Sequence, residues 1–135
     1  MKPCLVDTNL IVRFLTGEPE EQAVRAKNLF AANDSGELVL RVVPLVVAEV
    51  VFVLSGKVYG YERREVASAL TAFLQSPSLD VQERDVVLLA LELYRDHPID
   101  YVDACFAATA RLADHDVASF DADFEKIPKL SRKRP

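Results

Sequence analysis

Short apolar stretches with strand character alternate along the chain with longer segments of helical periodicity. The predicted strands are Cys4–Val6, "LVLRV" after Gly36, a weak "LDVQ", and Val117–Ser119. The segments between them carry apolar residues at helical spacing, often in two helices at a time. This alternation predicts an α/β/α sandwich, three layers built on a mostly parallel central sheet. Ligands of such folds bind at the carboxyl ends of strands, so the residues that follow each strand are the first candidates for a site.

The predicted helices have recognisable starts and stops. "DTN" directly after the first strand suits the capping of a helix over Leu10–Leu15, and Pro19 stands near the start of the next helix. Pro44 opens a Val-rich segment that can run to Ser55-Gly56, and its length favours a helix buried on most sides over a strand. Further helices are predicted in "YERREVASALTAFLQS", "ERDVVLLALELYRDH" and "DYVDACFAATARLAD".

Length and composition indicate one soluble globular domain spanning residues 1–135. A chain of 135 residues with 50% hydrophobic and 27% charged residues can bury a real core without disulfides or metals. The segment "MKPCLVDTNLIV" has neither the apolar region of a signal peptide nor the length of a membrane span, so we expect a cytoplasmic protein without membrane association. Cys4 and Cys105 stand alone in apolar surroundings, which indicates buried reduced thiols and excludes a structural zinc site.

The charge balance argues against one class of function. A net charge of −5 does not suit a protein that coats nucleic acid by bulk electrostatics, although it leaves room for a local site. Basic residues are clustered in "KLSRKRP", from Lys129 to Pro135. We expect a solvated tail there, and contact with RNA phosphates or a protein partner is the alternative.

Four acidic residues stand at corresponding places in the predicted elements. Asp7 ends the first strand, Glu49 lies within the apolar helix, Asp103 opens a helix, and Asp121 follows the last strand. Asp7 could simply cap a helix, Asp103 could interact with a helix dipole, and Asp121 could be a turn residue. Glu49 is harder to explain structurally, because its run of apolar neighbours contains no base and a buried carboxylate needs a cationic partner.

A shared location of these acids would favour a metal ion. Two carboxylates about 5 Å apart repel each other by roughly 3 kcal/mol at an effective dielectric constant near 20, and a cation offsets that cost. Oxygen ligands without His or Cys select hard ions, so Mg²⁺ or Mn²⁺ is expected. Such ions keep several waters and accept substrate phosphates as ligands. This arrangement is typical of metal-assisted phosphodiester hydrolysis.

Four segments in order carry a resemblance to a known family. They are "LVDTNLIVRFL", "PLVVAEVVFVL", "DYVDACFAATA" and "ASFDADFEKI", and together they span nearly the whole chain. The sequence resembles the PIN-domain ribonucleases and, within them, the VapC-type toxins of prokaryotic toxin-antitoxin pairs. The resemblance implies a catalytic, metal-binding pocket with polar residues that support it; the acids are Asp7, Glu49, Asp103 and Asp121, and the polar residues are Thr8, Asn9 and Ser119. Asn9 would orient the carboxylates, and Ser119 would hydrogen-bond to an acid or to metal-bound water.

Two assignments stay open within this resemblance. Asp123 competes with Asp121 for the fourth position, although the spacing from Ser119 favours Asp121. Asp100, one turn before Asp103, could be an outer acid of the site, but the preferred interpretation is a carboxylate at a helix N-terminus.

The resemblance also implies an activity and partners. The protein would be an endoribonuclease in which Mg²⁺ or Mn²⁺ activates water for attack on an RNA phosphate, leaving 3′-hydroxyl and 5′-phosphate ends. Its partner would be a cognate antitoxin whose C-terminal segment occupies the groove near the acidic pocket. The antitoxin's N-terminal domain would bind operator DNA, so the toxin would meet DNA only indirectly. A homodimer is the usual state of such toxins.

Three other functions compete with this interpretation. A phosphatase of the haloacid dehalogenase type also has an Asp after its first strand, but it needs a second Asp where this chain has Asn9. A non-catalytic binding module would keep the fold and act only through a protein partner. RNA processing or structure-specific DNA cleavage would keep the chemistry but commonly uses extra domains or helical insertions.

Overall fold

A computed structural model describes all 135 residues as two compact units, residues 1–84 and 85–135. The first unit contains three strands and four helices: β1 (Cys4–Leu5), α1 (Thr8–Thr16), α2 (Glu20–Asp34), β2 (Leu40–Val42), α3 (Pro44–Ser55), α4 (Arg63–Leu74) and β3 (Asp80–Val81). The second follows with two α-helices, a 3₁₀ helix and two strands: α5 (Arg84–Asp96), α6 (Tyr101–Ala113), β4 (Val117–Ala118), the 3₁₀ helix Ala122–Lys126 and β5 (Arg132–Lys133). The single domain expected over residues 1–135 stays a prediction.

Three parallel strands form the sheet of the first unit. Their order is β1-β2-β3, with Cys4 opposite Leu40 and Val42 opposite Val81. Parallel neighbours require a crossover connection, and the chain supplies each one as a pair of helices, α1 with α2 and then α3 with α4. The predicted α/β class with parallel strands is therefore confirmed. The strands are only two or three residues long, so the helices account for most of the unit.

The core of the first unit lies where the helices meet the sheet. α1 buries Ile11 and Val12 completely, and α1 packs against both α2 and α3. Three phenylalanines from α1, α2 and α4 contact one another, with ring centroids 4.8 to 5.6 Å apart: Phe14, Phe30 and Phe73. These contacts fix α1, and with it the residues at its N-terminus, because edge-to-face ring packing is directional.

One buried side chain, Asn33, connects α2 with the strands. Its Oδ1 accepts a hydrogen bond from the backbone N–H of Leu40 at 2.9 Å, and its Nδ2 donates to the carbonyl of Ser78 at 3.1 Å. Leu40 begins β2, and Ser78 lies just before β3. Asn33 therefore satisfies backbone groups that the short strands leave without a ladder partner.

The second unit contains a separate two-stranded sheet. β4 pairs in parallel with β5, and Val117 lies opposite Arg132. The solvated tail expected over Lys129–Pro135 is therefore wrong in its middle, where residues 132 and 133 form a strand. The physical reason is the Arg132 side chain, which is only 8% exposed and forms an ion pair with Glu125 at 2.8 Å.

Both cysteines are free, but they are less buried than expected. Cys4 is exposed and Cys105 is half-buried. Cys4 lies in the two-residue strand β1, whose side chains stay open to solvent.

No helix of the structure has both the length and the apolar character needed to cross a membrane.

The hydrogen bonds of Asn33 predict a stability effect. Asn33→Ala leaves the buried Leu40 N–H without its partner, and an unsatisfied buried group costs about 1–3 kcal/mol, whereas water can replace the partner of the exposed Ser78. We expect urea unfolding to show a lower free energy of unfolding for this variant. Asn28→Ala, an exposed position on the same helix, is the matched control and should change little. Equal stability of the two variants would contradict this role of Asn33.

Candidate functional site

Asp7 lies between β1 and α1 and is the N-cap of α1. Its Oδ1 accepts a hydrogen bond from the Thr8 N–H at 2.8 Å, so the capping role considered for this residue is real. Its Oδ2 makes no hydrogen bond, and the side chain is exposed. Capping therefore fixes the carboxylate and leaves one oxygen available to a ligand. Thr8 is buried and Asn9 is exposed, and the Asn9 amide forms no hydrogen bond to a carboxylate.

A groove between α1 and α2 begins at Asp7. It has a volume of about 440 Å³, and its lining includes the apolar residues Leu10, Ala26 and Leu29. Its polar wall consists of one acid, two amides and two bases: Asp7, Asn9, Gln22, Arg13 and Arg25. The first candidate acid thus lies on the wall of an open groove that also contains two positive charges.

Glu49 is not buried, contrary to the expectation from its apolar neighbours. α3 has the predicted bounds, and its buried side is formed by Val47, Val50, Val51 and Leu54. Glu49 is exposed between Leu45 and Phe52, which are 79% and 80% exposed. The outer side of this helix is as apolar as the inner side, so the sequence conceals which side is covered. The argument that a buried Glu49 needs a cation is therefore wrong, and its candidacy rests on its motif.

The other candidate acids belong to the second unit. Asp100 is the N-cap of α6 and accepts a hydrogen bond from the Asp103 N–H at 2.8 Å, which confirms the preferred interpretation of Asp100. Asp121 follows β4 and accepts from the Asp123 N–H at 2.8 Å at the start of the 3₁₀ helix. Ser119 Oγ accepts from the Asp121 N–H at 2.9 Å, so this hydroxyl shapes the turn that presents Asp121.

The second unit brings Asp103 under the influence of three further carboxylates. Burial raises the pKa of Asp103 most, and the negative charges of Asp100, Asp121 and Asp123 raise it further. Asp123 forms an ion pair with Lys126 at 2.9 Å, whereas Asp121 has no ion pair. Lys126 also interacts electrostatically with Asp121, so its positive charge acts on both carboxylates, and Asp121 as the fourth acid stays a prediction.

The donor chemistry of these residues suits a hard divalent cation. All candidate ligands are carboxylates, and the mutual repulsion around Asp103 is the situation that a cation relieves. Within neither unit do three or more His, Cys, Asp or Glu side chains lie close enough to one another to hold a metal ion. The fit of these residues to Mg²⁺ or Mn²⁺ thus rests on their chemistry and their charge.

One polar cluster was not singled out from the sequence. Arg13, the only charged residue of α1, donates from Nε to Gln22 Oε1 at 2.9 Å and from Nη1 to the Tyr59 hydroxyl at 3.2 Å. These partners are 9 and 46 residues away in sequence. The only sequence signal for this cluster was an isolated cation on an otherwise apolar helix.

Comparison with known proteins gives a family and a similar structure. The family model described as PIN domain matches residues 4–130. No curated protein matches the sequence significantly. Among solved structures, the chain is similar to a chain of the crystal structure of VapBC2 from Rickettsia felis bound to a DNA fragment from their promoter, with a TM-score of 0.40 and 19% sequence identity. The match covers 98% of each chain.

The carboxylates around Asp103 predict a pKa change. Asp121→Asn removes one of the negative charges that raise the pKa of Asp103, so the pKa of Asp103 should fall towards its ordinary value. Carboxyl-detected NMR titration of wild type and variant measures this. Asp116→Asn is the control, because Asp116 pairs with Lys133 at 3.7 Å and is not among the charges that raise this pKa. An Asp103 titration that is the same in all three proteins would refute the interaction.

Proposed function

Because the chain belongs to the PIN domain family, a family of nucleases in general, we propose that it is a metal-dependent endoribonuclease and the toxin of a type II toxin-antitoxin pair. The observation that carries the nuclease proposal is the half-buried Asp103 at the start of α6, whose pKa is raised by burial and by the negative charges of Asp100, Asp121 and Asp123. A fold retains such repulsion where a cation offsets it. The narrower assignment to the toxins is supported by the four sequence motifs that resemble the VapC type.

We propose Asp7, Glu49, Asp103 and Asp121 as the ligands of Mg²⁺ or Mn²⁺ and as the catalytic acids. What supports this set is the presence of each acid in its expected family motif, together with the free carboxylate oxygens of Asp7 and Asp121. When bound, the ion supplies an activated water and stabilises the charge that develops on the phosphate.

The chain's own residues contribute orientation. Asp7 and Asp121 each accept one backbone N–H at 2.8 Å, which fixes the carboxylate plane before any ligand binds. Ser119 holds the Asp121 backbone from the other side of the turn. Thr8 and Asn9 are proposed as supporting polar residues next to Asp7. Preorganisation of this kind reduces the reorganisation needed to reach the transition state.

The proposed partners follow from the toxin assignment. We propose an antitoxin protein that occupies the neighbourhood of the acids and contacts operator DNA itself, a toxin homodimer, and a cytoplasmic location. The first unit has an apolar groove of about 380 Å³ that includes the phenylalanines of α1, α2 and α4. Such a groove supports the binding of an apolar side of a partner segment.

The central test is cleavage of labelled single-stranded RNA by the purified protein. We expect cleavage with Mg²⁺ or Mn²⁺, none with EDTA, and a loss of at least about a hundredfold in Asp103→Asn, since removing a charged transition-state contact typically costs that much. Asp116→Asn should cleave like wild type. The products should carry 3′-hydroxyl and 5′-phosphate ends.

Two results would overturn the nuclease proposal or its chemistry. Cyclic phosphate ends would show that the ribose 2′-hydroxyl is the nucleophile. Equal inactivity of wild type and Asp103→Asn on tRNA, rRNA and mRNA, without any binding of Mn²⁺, would favour the non-catalytic binding module.

A second prediction concerns the metal and thermal stability. Mn²⁺ that binds only the folded acids should raise the melting temperature of the wild type, because a ligand at a hundred times its Kd stabilises by about 2.7 kcal/mol. Asp7→Asn and Asp103→Asn, one substitution in each unit, should each reduce the shift measured by differential scanning fluorimetry. Retention of the full shift in Asp7→Asn would remove that residue from the ligand set, and EDTA should reverse the wild-type shift.

A further inference from the structure

The groove between α1 and α2 contains an arginine whose position is fixed by neutral partners. Gln22 Oε1 and the Tyr59 hydroxyl accept two of the N–H groups of Arg13, at 2.9 and 3.2 Å. A guanidinium has five N–H donors, so three stay available to a ligand. Arg13 is half-buried, so this side chain is held in one place and does not move freely in solvent.

The charge of Arg13 is not compensated by any carboxylate within 4 Å. Other fixed arginines of the chain differ in this respect: Arg41 pairs with Asp80 at 2.7 Å and Arg132 with Glu125 at 2.8 Å. Arg25 on the same groove wall has only a long, exposed contact of 3.9 Å with Glu21, which contributes little. The groove therefore presents two cations with spare hydrogen-bonding capacity.

The chemistry of these groups selects an anionic ligand with several acceptor oxygens. A planar guanidinium with free N–H groups matches a phosphate, which it can bind through two hydrogen bonds. Asn9 and Gln22 add neutral polar groups to the lining of the groove, and Leu10 and Leu29 add apolar surface. Asp7 repels an anion at its own end of the groove, so a phosphate is expected nearer to Arg13 than to Asp7.

We infer that this groove binds the phosphate backbone of the RNA substrate next to the cleavage site, with Arg13 as its principal phosphate contact. The inference rests on the proposed nuclease function, because it takes Asp7 as a residue of the catalytic site. Arg13 contacts the substrate, and Gln22 and Tyr59 act as positioning residues that hold its guanidinium in place. Tyr59, which holds Arg13, stacks on Tyr61 with the ring centroids 6.0 Å apart, and Tyr61 is 38% exposed. An exposed aromatic ring favours a ligand with bases that can stack on it over an acidic peptide.

The experiment compares Arg13→Gln with Arg64→Gln, an exposed arginine of α4 outside the groove. A fluorescent single-stranded RNA oligonucleotide is titrated in EDTA, so that binding is measured without cleavage. Arg13→Gln should raise the Kd about tenfold, since hydrogen bonds to charged groups contribute that much. The slope of log Kd against log salt should decrease by about 0.7, the value for one phosphate contact on a single strand. Arg64→Gln should change neither quantity.

Two further variants separate positioning from charge. Tyr59→Phe keeps the ring and removes the hydroxyl that holds Arg13, so it should raise the Kd less than Arg13→Gln and leave the salt slope unchanged. Arg13→Lys keeps the charge and should recover the slope but only part of the affinity. Circular dichroism verifies that every variant is folded, and a folded Arg13→Lys or Tyr59→Phe keeps the test decisive if Arg13→Gln fails to fold.

The outcomes distinguish this inference from the proposed function. RNA cleavage with an unchanged KM and Kd in Arg13→Gln would overturn the groove assignment and leave the nuclease intact. Binding that depends on Arg13 without any cleavage would support the groove and count against the nuclease. A polyglutamate peptide that binds as tightly as the RNA, with the same dependence on Arg13, would overturn the RNA assignment in favour of an acidic protein partner. The supporting result in active enzyme is a raised KM with little change in kcat.

Discussion

Parallel pairing of three very short strands is the constraint on which the first unit depends. A parallel pair cannot be closed by a tight turn, so β1, β2 and β3 must each be followed or preceded by a long crossover. The chain uses two helices for each crossover, and this places the first residues of α1 and of α3 directly after a strand. Asp7 stands at such a junction. Because two-residue strands offer few ladder hydrogen bonds, Asn33 and the phenylalanine contacts hold the helices in place around them.

In the second unit, burial and the negative charges of neighbouring carboxylates make the ionisation of Asp103 unfavourable. The pKa of Asp103 is raised by burial and by neighbouring carboxylates, so its ionised form destabilises the folded state. That destabilisation is absent at a pH below the pKa of Asp103 in the unfolded state and fully present above its pKa in the folded state. The free energy of unfolding therefore falls as the pH rises from the first pKa to the second. Asp100 and Asp121 nevertheless have a local structural role, since their carboxylates both accept backbone N–H groups. Local capping and unfavourable charge coexist at the same residues.

The sequence predicted the bounds of the helices better than the exposure and the long-range contacts of their side chains. Pro44 and Ser55 bound α3 as predicted, because Pro and Gly act locally on the backbone. The exposure of Glu49 was not predictable, since both sides of α3 are apolar and only the tertiary fold decides which is covered. The strand at residues 132 and 133 was missed because it depends on pairing with β4 across the 3₁₀ helix. The hydrogen bonds of Arg13 were not predicted for a similar reason, because its partner Tyr59 is 46 residues away in sequence.

The short strand β5 has a consequence for the acidic turn after β4. The Arg132 guanidinium donates to the Ser119 carbonyl at 2.9 Å, and the Ser119 N–H donates to the Lys133 carbonyl at 3.1 Å. Ser119 in turn holds the backbone of Asp121. Arg132 and Lys133 therefore stabilise the turn that carries the candidate acid Asp121. A substitution of Arg132 would therefore disturb the turn that carries Asp121, although β5 itself contains none of the candidate acids.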